Sequence, residues 1–496
     1  MPNNFEELAG GLMMIGIEGC EVTPSVRKLV KTVRPGGIIF FRPNFSSLSA
    51  FQKLIFDLEK AAGKKLLTAI DHEGGRVIHA SFGVTVFPDN LVFGTAGKEN
   101  FVRKQGMIEA RELRKLGILM NLAPTIDVLG ENFSPNIGIR SYGKNPALVS
   151  KMGAARIRAM QKNGVAACAK HFPGQGHSAW DAHLDLPVLS ARESEIENIH
   201  LKPFRAAIQA GAAAVMSSHP IYPQMDEAGV PATFSREIIY ERLRIGMKFE
   251  GLILSDDLEM GALKNLCSIG ESAVRAVAAG HDMILVCHDP KNVLKAYESL
   301  AKSYESGRLN AWELEKSLVR IENVKRKYGA KPGPVPKSAG LPGKICKEGV
   351  ERLKTHAGFK FKKGEEVTVI FPRISELASK IFIEKEMLDE EKFARVLCLE
   401  NGLKCRKVVI TGLKLSAVDL EEAENIDGHV LFFCYDAHFD ASAVRILKRL
   451  PRPSRKAAAV FLRDPYDIKF ANRQIACVQS YGFRACQMRA ALRLLV

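Results

Sequence analysis

Residues 165–187 read VAACAKHFPGQGHSAWDAHLDLP, and this stretch contains the pattern that decides the fold. Its first residues form a short apolar run typical of a buried strand. The run ends on Lys170 and His171, and a loop punctuated by glycine and proline follows. A short strand that is followed by a loop and then by a helical pattern indicates a βα unit of a parallel sheet.

The same pattern recurs along the chain up to about residue 328. Amphipathic stretches such as Asn100–Leu116 and Ala147–Asn163 lie between several of the apolar runs. Eight runs can be counted, and eight is the number of strands in a (β/α)8 barrel, so the sequence predicts this α/β fold. The predicted strands are Gly11–Gly19, Gly36–Phe41, Leu66–Ile70, Ile118–Val128, Val165–Lys170, Ala213–Ser218, Gly251–Ser255 and Met283–Val286.

Polar side chains stand at or just after the end of nearly every predicted strand. The C-terminal ends of barrel strands converge on one face, so residues that are distant in the chain are expected to line one pocket. These residues are Asp71, Glu73, Asp127, Lys170, His171, His219, Asp256, Asp257, His288 and Asp289.

A second domain is predicted beyond the barrel. Residues 329–345 are rich in proline and glycine, which indicates a linker between a catalytic barrel at 1–328 and a smaller domain at 346–496. Strand patterns alternate there with helical ones, which favours a three-layer α/β domain. The sequence shows no chemistry in this part, so bracing the barrel or covering the pocket are its expected contributions. The predicted strands are Val367–Phe371, Lys407–Thr411, Val430–Phe433 and Ala458–Leu462.

Composition restricts the class of protein further. Lys and Arg outnumber Asp and Glu by 71 to 55, but this excess is diffuse and no nucleic-acid-binding signature accompanies it, so no nucleic-acid partner is expected. No apolar run approaches the roughly 20 residues that span a bilayer, so no membrane partner is expected. The ten cysteines lack the spacing of a zinc site or a disulfide scaffold, so no metal is predicted. Residues 174–179, GQGHSA, lack the ending of a phosphate-binding loop, so no cofactor is predicted. The N-terminus lacks the basic leader of a secretory signal, which favours a cytoplasmic enzyme.

The loop after Lys170 is rich in groups that transfer protons. Asp181 and His183 are two residues apart, so in an extended segment both side chains point to the same side. A carboxylate there can orient an imidazole, and such a histidine can act first as a general acid and then as a general base. Taken alone, His183 reads as an ordinary histidine, and only this context favours catalysis.

Seven motifs in order give the chain a family resemblance: it looks like a β-N-acetylglucosaminidase of glycoside hydrolase family 3. The motifs are DHEGGR (Asp71–Arg76), LAPTIDV (Leu122–Val128), IGIRSYG (Ile137–Gly143), KHFPGQG (Lys170–Gly176), DAH (Asp181–His183), MSSHPIYP (Met216–Pro223) and SDDLEMGA (Ser255–Ala262).

The resemblance implies a role for each matching residue. Asp256 is expected to be the nucleophile of a retaining reaction that passes through a glycosyl ester, and Asp181 with His183 the acid/base pair. Without the motif, a helix cap is the competing interpretation of Asp256. Arg76 is expected to brace Asp71. The residues expected to bind the nonreducing sugar are Asp71, Arg140, Lys170, His171 and His219.

Two positions depart from the family pattern. Gln175 and His177 lie in a loop that usually reads GHGDT in this family. The resemblance therefore does not predict how this loop closes or how the leaving-group side of the site is formed. Trp180 either stacks on a sugar or packs the loop.

The expected function is removal of terminal N-acetylglucosamine from a carbohydrate substrate, and the resemblance implies cell-wall fragments in peptidoglycan recycling. Two alternatives stay open. Phosphate could replace water, because a histidine acid/base repels it less than a carboxylate would. The chain could also be a sugar-binding protein that has lost its activity.

Overall fold

The computed structural model describes residues 5–131, 134, 136–177, 186–329, 333–353, 357–452 and 455–496. Its N-terminal part is a closed barrel of eight parallel strands, as the sequence predicts. Neighbouring strands follow one another in chain order, and the last strand pairs with the first. The strands are β1 (Met13–Ile15), β2 (Gly37–Phe40), β3 (Leu67–Ile70), β4 (Met120–Asn121), β5 (Ala166–Phe172), β6 (Ala214–Ser217), β7 (Leu252–Asp257) and β8 (Met283–Val286).

Two barrel strands are much shorter than predicted. β1 starts only at Met13 because Gly10–Leu12 form a 3-10 turn. β4 ends at Asn121, and the apolar residues that follow include Pro124, which has no N–H to donate to a strand ladder. Apolar runs therefore locate the strands, whereas local backbone chemistry sets their ends.

Helices surround the barrel and turn their apolar faces towards it. Several begin after a side chain that accepts a backbone N–H, as Asn145 does for Ala147 and Leu148. The main helices are Pro24–Val33, Leu48–Ala62, Asn90–Ala96, Glu99–Leu116, Pro146–Lys162, Leu201–Gln209, Glu237–Gly246, Ile269–Ala279, Pro290–Glu305 and Ala311–Tyr328. A short hairpin, His72–Gly74 with Val77–Ile78, follows β3.

The second domain is built on a six-stranded sheet. The strands are β9 (Glu351–Arg352), β10 (Glu366–Pro372), β11 (Lys404–Thr411), β12 (His429–Cys434), β13 (Ala457–Phe461) and β14 (Ala476–Gln479), in the spatial order β9-β14-β13-β12-β10-β11. Only β9 runs antiparallel to its neighbour. Its helices are Leu341–Gly349, Glu390–Glu400, Ala417–Glu424, Ala441–Arg449 and Ala485–Arg493.

Two apolar cores on opposite faces of this sheet give the three layers that the sequence predicts. Along β12, Val430 and Phe432 belong to one core and Leu431 and Phe433 to the other. This alternation is the two-residue period of a strand that is covered on both faces. The sequence missed β9 and β14, which are two and four residues long.

The helix Leu341–Gly349 connects the two parts of the chain. It begins inside the predicted linker and packs on the barrel helix Asn90–Ala96 and on the second-domain helix Ala485–Arg493. The division at 328 and 345 stays a proposal. Within the described ranges, no helix is both long enough and apolar enough to cross a bilayer.

Candidate active site

The strand ends bring the predicted polar residues to one mouth of the barrel. Asp71 follows β3 directly, and Lys170 and His171 lie near the end of β5. Asp256 lies at the end of β7, with His219 two residues beyond β6. Residues from different strands are far apart in the chain, so only the barrel fold brings them together.

Glu73 forms the centre of a buried ion-pair network at this mouth. Its carboxylate accepts two hydrogen bonds from Arg140, at 2.7 and 2.8 Å, and it pairs with Lys170 at 2.7 Å. Burial by itself would raise the pKa of Glu73, but Arg140 and Lys170 hold it well below its usual value. Both cations are therefore fixed by one ionised carboxylate.

Asp71 and Lys170 leave hydrogen-bonding capacity for a ligand. Lys170 donates to Asp71 as well as to Glu73, so one of its three N–H bonds remains. The Asp71 side chain is 20% exposed, whereas that of Glu73 is 2% exposed. Asp71 can therefore accept from a hydroxyl, while Glu73 organises the cations from behind.

His171 is oriented by Asp127. Its Nδ1 donates to Asp127 Oδ2 at 2.8 Å, which turns Nε2 towards Arg140 at 3.5 Å. The same carboxylate accepts the backbone N–H groups of His171 and Gln175. One buried aspartate thus fixes both the imidazole and the start of the loop that follows β5.

Asp256 has the electrostatic setting of an ionised carboxylate. Burial alone would raise its pKa, but the nearby His171, His219 and Lys170, together with the Asp257 N–H, hold the pKa below the ordinary 3.8. The Asp257 N–H donates to Asp256 Oδ1 at 2.8 Å. The helix Gly261–Lys264 begins after Met260, so Asp256 is not a helix cap.

His219 lies beside Asp256, as expected. Its Nε2 is 3.0 Å from the carbonyl oxygen of Asp257, which can only accept, so this nitrogen carries a proton. Its Nδ1 is 2.7 Å from Thr233 Oγ1. Burial lowers the pKa of His219, which favours the neutral ring.

The predicted acid/base pair, Asp181 and His183, lies outside the described residues, and so does Trp180. The two departures from the family loop are described. Gln175 is buried, and the ring of His177 packs edge-on against His200 with centroids 4.4 Å apart.

Sequence reasoning assigned no role to Glu73 and Asp127, although it placed both at strand ends. The charges of the DHEGGR motif were a usable signal, because a carboxylate two residues from Asp71 is on the same face of an extended segment. The bracing of Asp71 by Arg76 stays a prediction, and the charged neighbours of Arg76 include Arg463 and Asp464 of the second domain.

The pocket-lining expectation fails at Asp289. This residue is exposed, and its carboxylate accepts the N–H of Lys291, so it caps the helix Pro290–Glu305. His288 lies at the edge of the site, because its Nε2 is 3.2 Å from Asp257 and its side chain is largely exposed.

Asp436, His438 and Asp467 form the cluster in the second domain that could hold a metal ion. Part of their hydrogen-bonding capacity is already used, since Arg463 pairs with Asp436 and Asp467 accepts the N–H groups of Ala437 and His438. The contacts therefore favour a hydrogen-bonded network at this position.

A cavity of about 660 Å³ lies at the other end of the barrel, away from the predicted chemistry. Asp282 lies in its wall, just before β8, and is paired with Arg244 and Arg320. Size alone would favour this cavity as the site. The mouth is the stronger candidate because Asp256 and the network of Glu73 meet there.

Comparisons with known proteins match the barrel part of the chain. The glycosyl hydrolase family 3 N-terminal domain model matches residues 5–324. A β-hexosaminidase from Idiomarina loihiensis is 34% identical over 321 residues, which is 63% of this chain and 96% of that protein.

Two solved structures are similar. A glycoside hydrolase family 3 β-N-acetylglucosaminidase from Paenibacillus sp. str. FPU-7 has a TM-score of 0.91 and 30% identity, covering 99% of this chain and 96% of its own. NagZ from Neisseria gonorrhoeae, solved in complex with N-trifluoroacetyl-D-glucosamine, has a TM-score of 0.53 and 30% identity, covering 63% of this chain and 98% of its own.

Proposed function

Because this chain belongs to glycosyl hydrolase family 3 and is a glycoside hydrolase of the β-N-acetylhexosaminidase kind, we propose that it releases terminal N-acetylglucosamine with retention of configuration. One observation carries the proposal: the carboxylate of Asp256, with a lowered pKa, stands beside Lys170, His171 and His219 at the barrel mouth. An ionised carboxylate next to hydrogen-bonding groups suits attack on a sugar ring.

The groups around Asp256 are suited to hold a pyranose. Lys170 and Arg140 offer charged donors, and Asp71 offers a charged acceptor. Hydrogen bonds to charged groups are about twice as strong as neutral ones and are directional. A substrate that lacks one of the matching hydroxyls leaves a buried charge without a partner, so this set selects for a particular sugar.

The reaction proceeds in two displacements. Asp256 attacks the anomeric carbon and forms a glycosyl ester while the bond to the leaving oxygen breaks and that oxygen takes a proton. Water then attacks the same carbon, gives up a proton and releases the carboxylate. Two inversions at one carbon leave the configuration unchanged.

Asp181 and His183 supply and recover this proton. In the first step His183 donates to the leaving oxygen, and in the second it accepts from water, while Asp181 polarises the ring. This assignment rests on the sequence motif, since both residues lie outside the described ranges.

Cell-wall fragments with a terminal N-acetylglucosamine are the proposed substrates in a peptidoglycan-recycling role within the cytoplasm. The formal charge of +16 is compatible with anionic muropeptides, because a basic surface attracts acidic ligands. The substrate assignment therefore rests mainly on the family resemblance.

Turnover of an aryl N-acetylglucosaminide tests the reaction. Asp256→Asn should lower kcat by at least about 1000-fold, because an amide cannot form the ester. Asp257→Asn is the matched control: it removes the neighbouring carboxylate, which faces the exposed His288, and should keep activity within about tenfold. NMR of the first product should show the β-anomer. Near-normal turnover by Asp256→Asn, or an α-anomer, would refute the mechanism.

Leaving-group dependence tests the proton donor. His183→Ala should slow natural substrates far more than nitrophenyl substrates, since a good leaving group needs little protonation. Equal slowing of both would remove His183 from this role.

Repeating the assay with added phosphate tests whether the glycosyl group is transferred to phosphate instead of water. A sugar phosphate product would show this transfer. N-acetylglucosamine binding without turnover would indicate a protein that has lost its activity.

A further inference from the structure

Two turns at the barrel mouth, one that contains Arg140 and one that follows Glu73, are held by side chains of the second domain. We propose that Asp464 and Arg484 are positioning residues for the barrel site: Asp464 sets the turn that presents Arg140, and Arg484 sets the turn that follows Glu73. The inference rests on the proposed function, because it assumes that Arg140 and Lys170 bind the sugar.

Asp464 reaches the turn Gly138–Arg140 directly. Its Oδ1 accepts the backbone N–H of Ile139 at 2.8 Å, between residues that are 325 positions apart. Both residues are buried. The next residue in the turn is Arg140, whose guanidinium makes the two hydrogen bonds to Glu73. A shift of the Ile139 backbone is therefore passed to Arg140 through a single peptide.

Gly138 shows how closely the aspartate approaches. Its φ of +41° is in the region that favours glycine, and a Cβ added there would lie 1.9 Å from Asp464 Oδ1. Any larger residue would push the turn and the carboxylate apart. The turn and the second domain are consequently fitted to each other at this point.

Arg484 makes the corresponding contact with the hairpin turn. It is fully buried and donates its Nε–H to the carbonyl oxygen of Gly75 at 2.7 Å. Its other contacts are with Phe382 and Glu384 of the second domain, which fix the guanidinium itself. Gly75 is two residues beyond Glu73. The second domain therefore contacts the backbone next to both partners of one ion pair, at Ile139 beside Arg140 and at Gly75 close to Glu73.

The two contacts of the second domain affect the distance between the sugar hydroxyls and the groups that bind them. Arg140 and Lys170 must meet hydroxyls at hydrogen-bonding distance, and misplacing a binding group by about 1 Å can cost about 100-fold in rate. A buried hydrogen bond to a carboxylate is strong enough to fix such a turn. The second domain thereby shapes the site through backbone contacts.

Steady-state kinetics of three full-length variants test the role of Asp464. Asp464→Ala should raise KM for the aryl N-acetylglucosaminide by about 10- to 100-fold, because Arg140 moves out of hydrogen-bonding distance of the sugar hydroxyls. Asp464→Asn keeps the acceptor oxygen and should restore KM to within about threefold of wild type. The control is Asp467→Asn, a buried aspartate nearby whose bonds go to Ala437 and His438 inside the second domain. It should lower the melting midpoint without changing KM.

Gly138→Ala gives an independent test if Asp464→Ala fails to fold. It displaces the turn without removing any charged side chain, and it should raise KM in the same range. A KM for both Asp464→Ala and Gly138→Ala within twofold of the Asp467→Asn value would overturn the positioning role, since Asp464 would then only join the domains.

The proposed function and the positioning role fail in different ways. Active wild-type protein with unchanged KM in the variants overturns the positioning role alone. If wild-type protein binds N-acetylglucosamine without turnover, the same comparison is made on its dissociation constant by calorimetry. Wild-type protein that neither binds nor turns over the sugar overturns the proposed function, and the positioning role with it.

Discussion

The two ends of the barrel contain the same arrangement, a buried carboxylate between two cations, with different surroundings. At the C-terminal mouth, Glu73 pairs with Arg140 and Lys170, and these three residues are called the mouth cluster. At the N-terminal end, Asp282 pairs with Arg244 and Arg320. Both carboxylates are 2% exposed, so burial does not distinguish the two clusters.

The two clusters differ in the further contacts that their members make. The carboxylate of Asp282 also accepts Ser317 Oγ and the N–H of Ile253, so it joins a helix to the start of β7. At the mouth, Lys170 extends the network to Asp71, which is partly exposed, and acts on Asp256. The cluster of Asp282 lies in the wall of a cavity but its remaining bonds only join structural elements, whereas the cluster of Glu73 leads to the partly exposed Asp71 and to Asp256. This difference follows the rule that catalytic groups lie at the C-terminal ends of barrel strands.

Of the changes to the two buried carboxylates, Glu73→Gln should have the larger effect on activity. A neutral amide cannot neutralise the charges of Arg140 and Lys170. Both side chains should therefore leave the positions in which they can hydrogen-bond to the sugar. We expect kcat/KM to fall by about 100- to 1000-fold, as for the loss of a charge-assisted contact at a reacting site. The measurement is turnover of the aryl N-acetylglucosaminide, and a loss below about fivefold would contradict a special role for the mouth cluster.

Asp282→Asn is the matched change at the other end. Removing one partner of a buried ion pair costs about 3–5 kcal/mol of stability, because the remaining charges are left without compensation. We expect a clearly lower urea midpoint, with kcat/KM per folded molecule within about twofold of wild type. If Asp282→Asn lowered kcat/KM as much as Glu73→Gln does, the functional distinction between the ends would be lost.

The sequence predicts the barrel and the convergence of the strand ends because both follow from periodicity and strand number. It does not predict which of the converging groups touches substrate and which supports another group, since Glu73 and Asp71 differ in exposure and not in chemistry. The contact of Asp464 with Ile139 leaves no local pattern either. A hydrogen bond to a backbone N–H requires only an acceptor, so its partner cannot be read from residue type.

Lower pH should weaken the mouth cluster in a predictable direction. In the unfolded chain the carboxyl of Glu73 titrates near 4.5, and in the folded protein its pKa is well below that value. Its ionised form therefore stabilises the folded state above about pH 4.5, and this contribution is lost as the pH falls through the lower folded pKa. The stability difference between wild type and Glu73→Gln should be constant from pH 7 to 5 and shrink below 4.5. A difference that grew towards acid pH would reverse the assigned sign.

His288→Gln should have the smallest effect and marks the outer limit of the mouth cluster. The imidazole pairs with Asp257 at 3.2 Å, and this neighbour raises the pKa of His288 above 6.5. Its side chain is 64% exposed, so water screens the pair and the change in stability should stay below about 1 kcal/mol. We expect kcat for the aryl substrate to change by less than about threefold, because solvent replaces the lost contact. A loss comparable to that of Glu73→Gln would place His288 inside the working site and extend the mouth cluster to the end of β8.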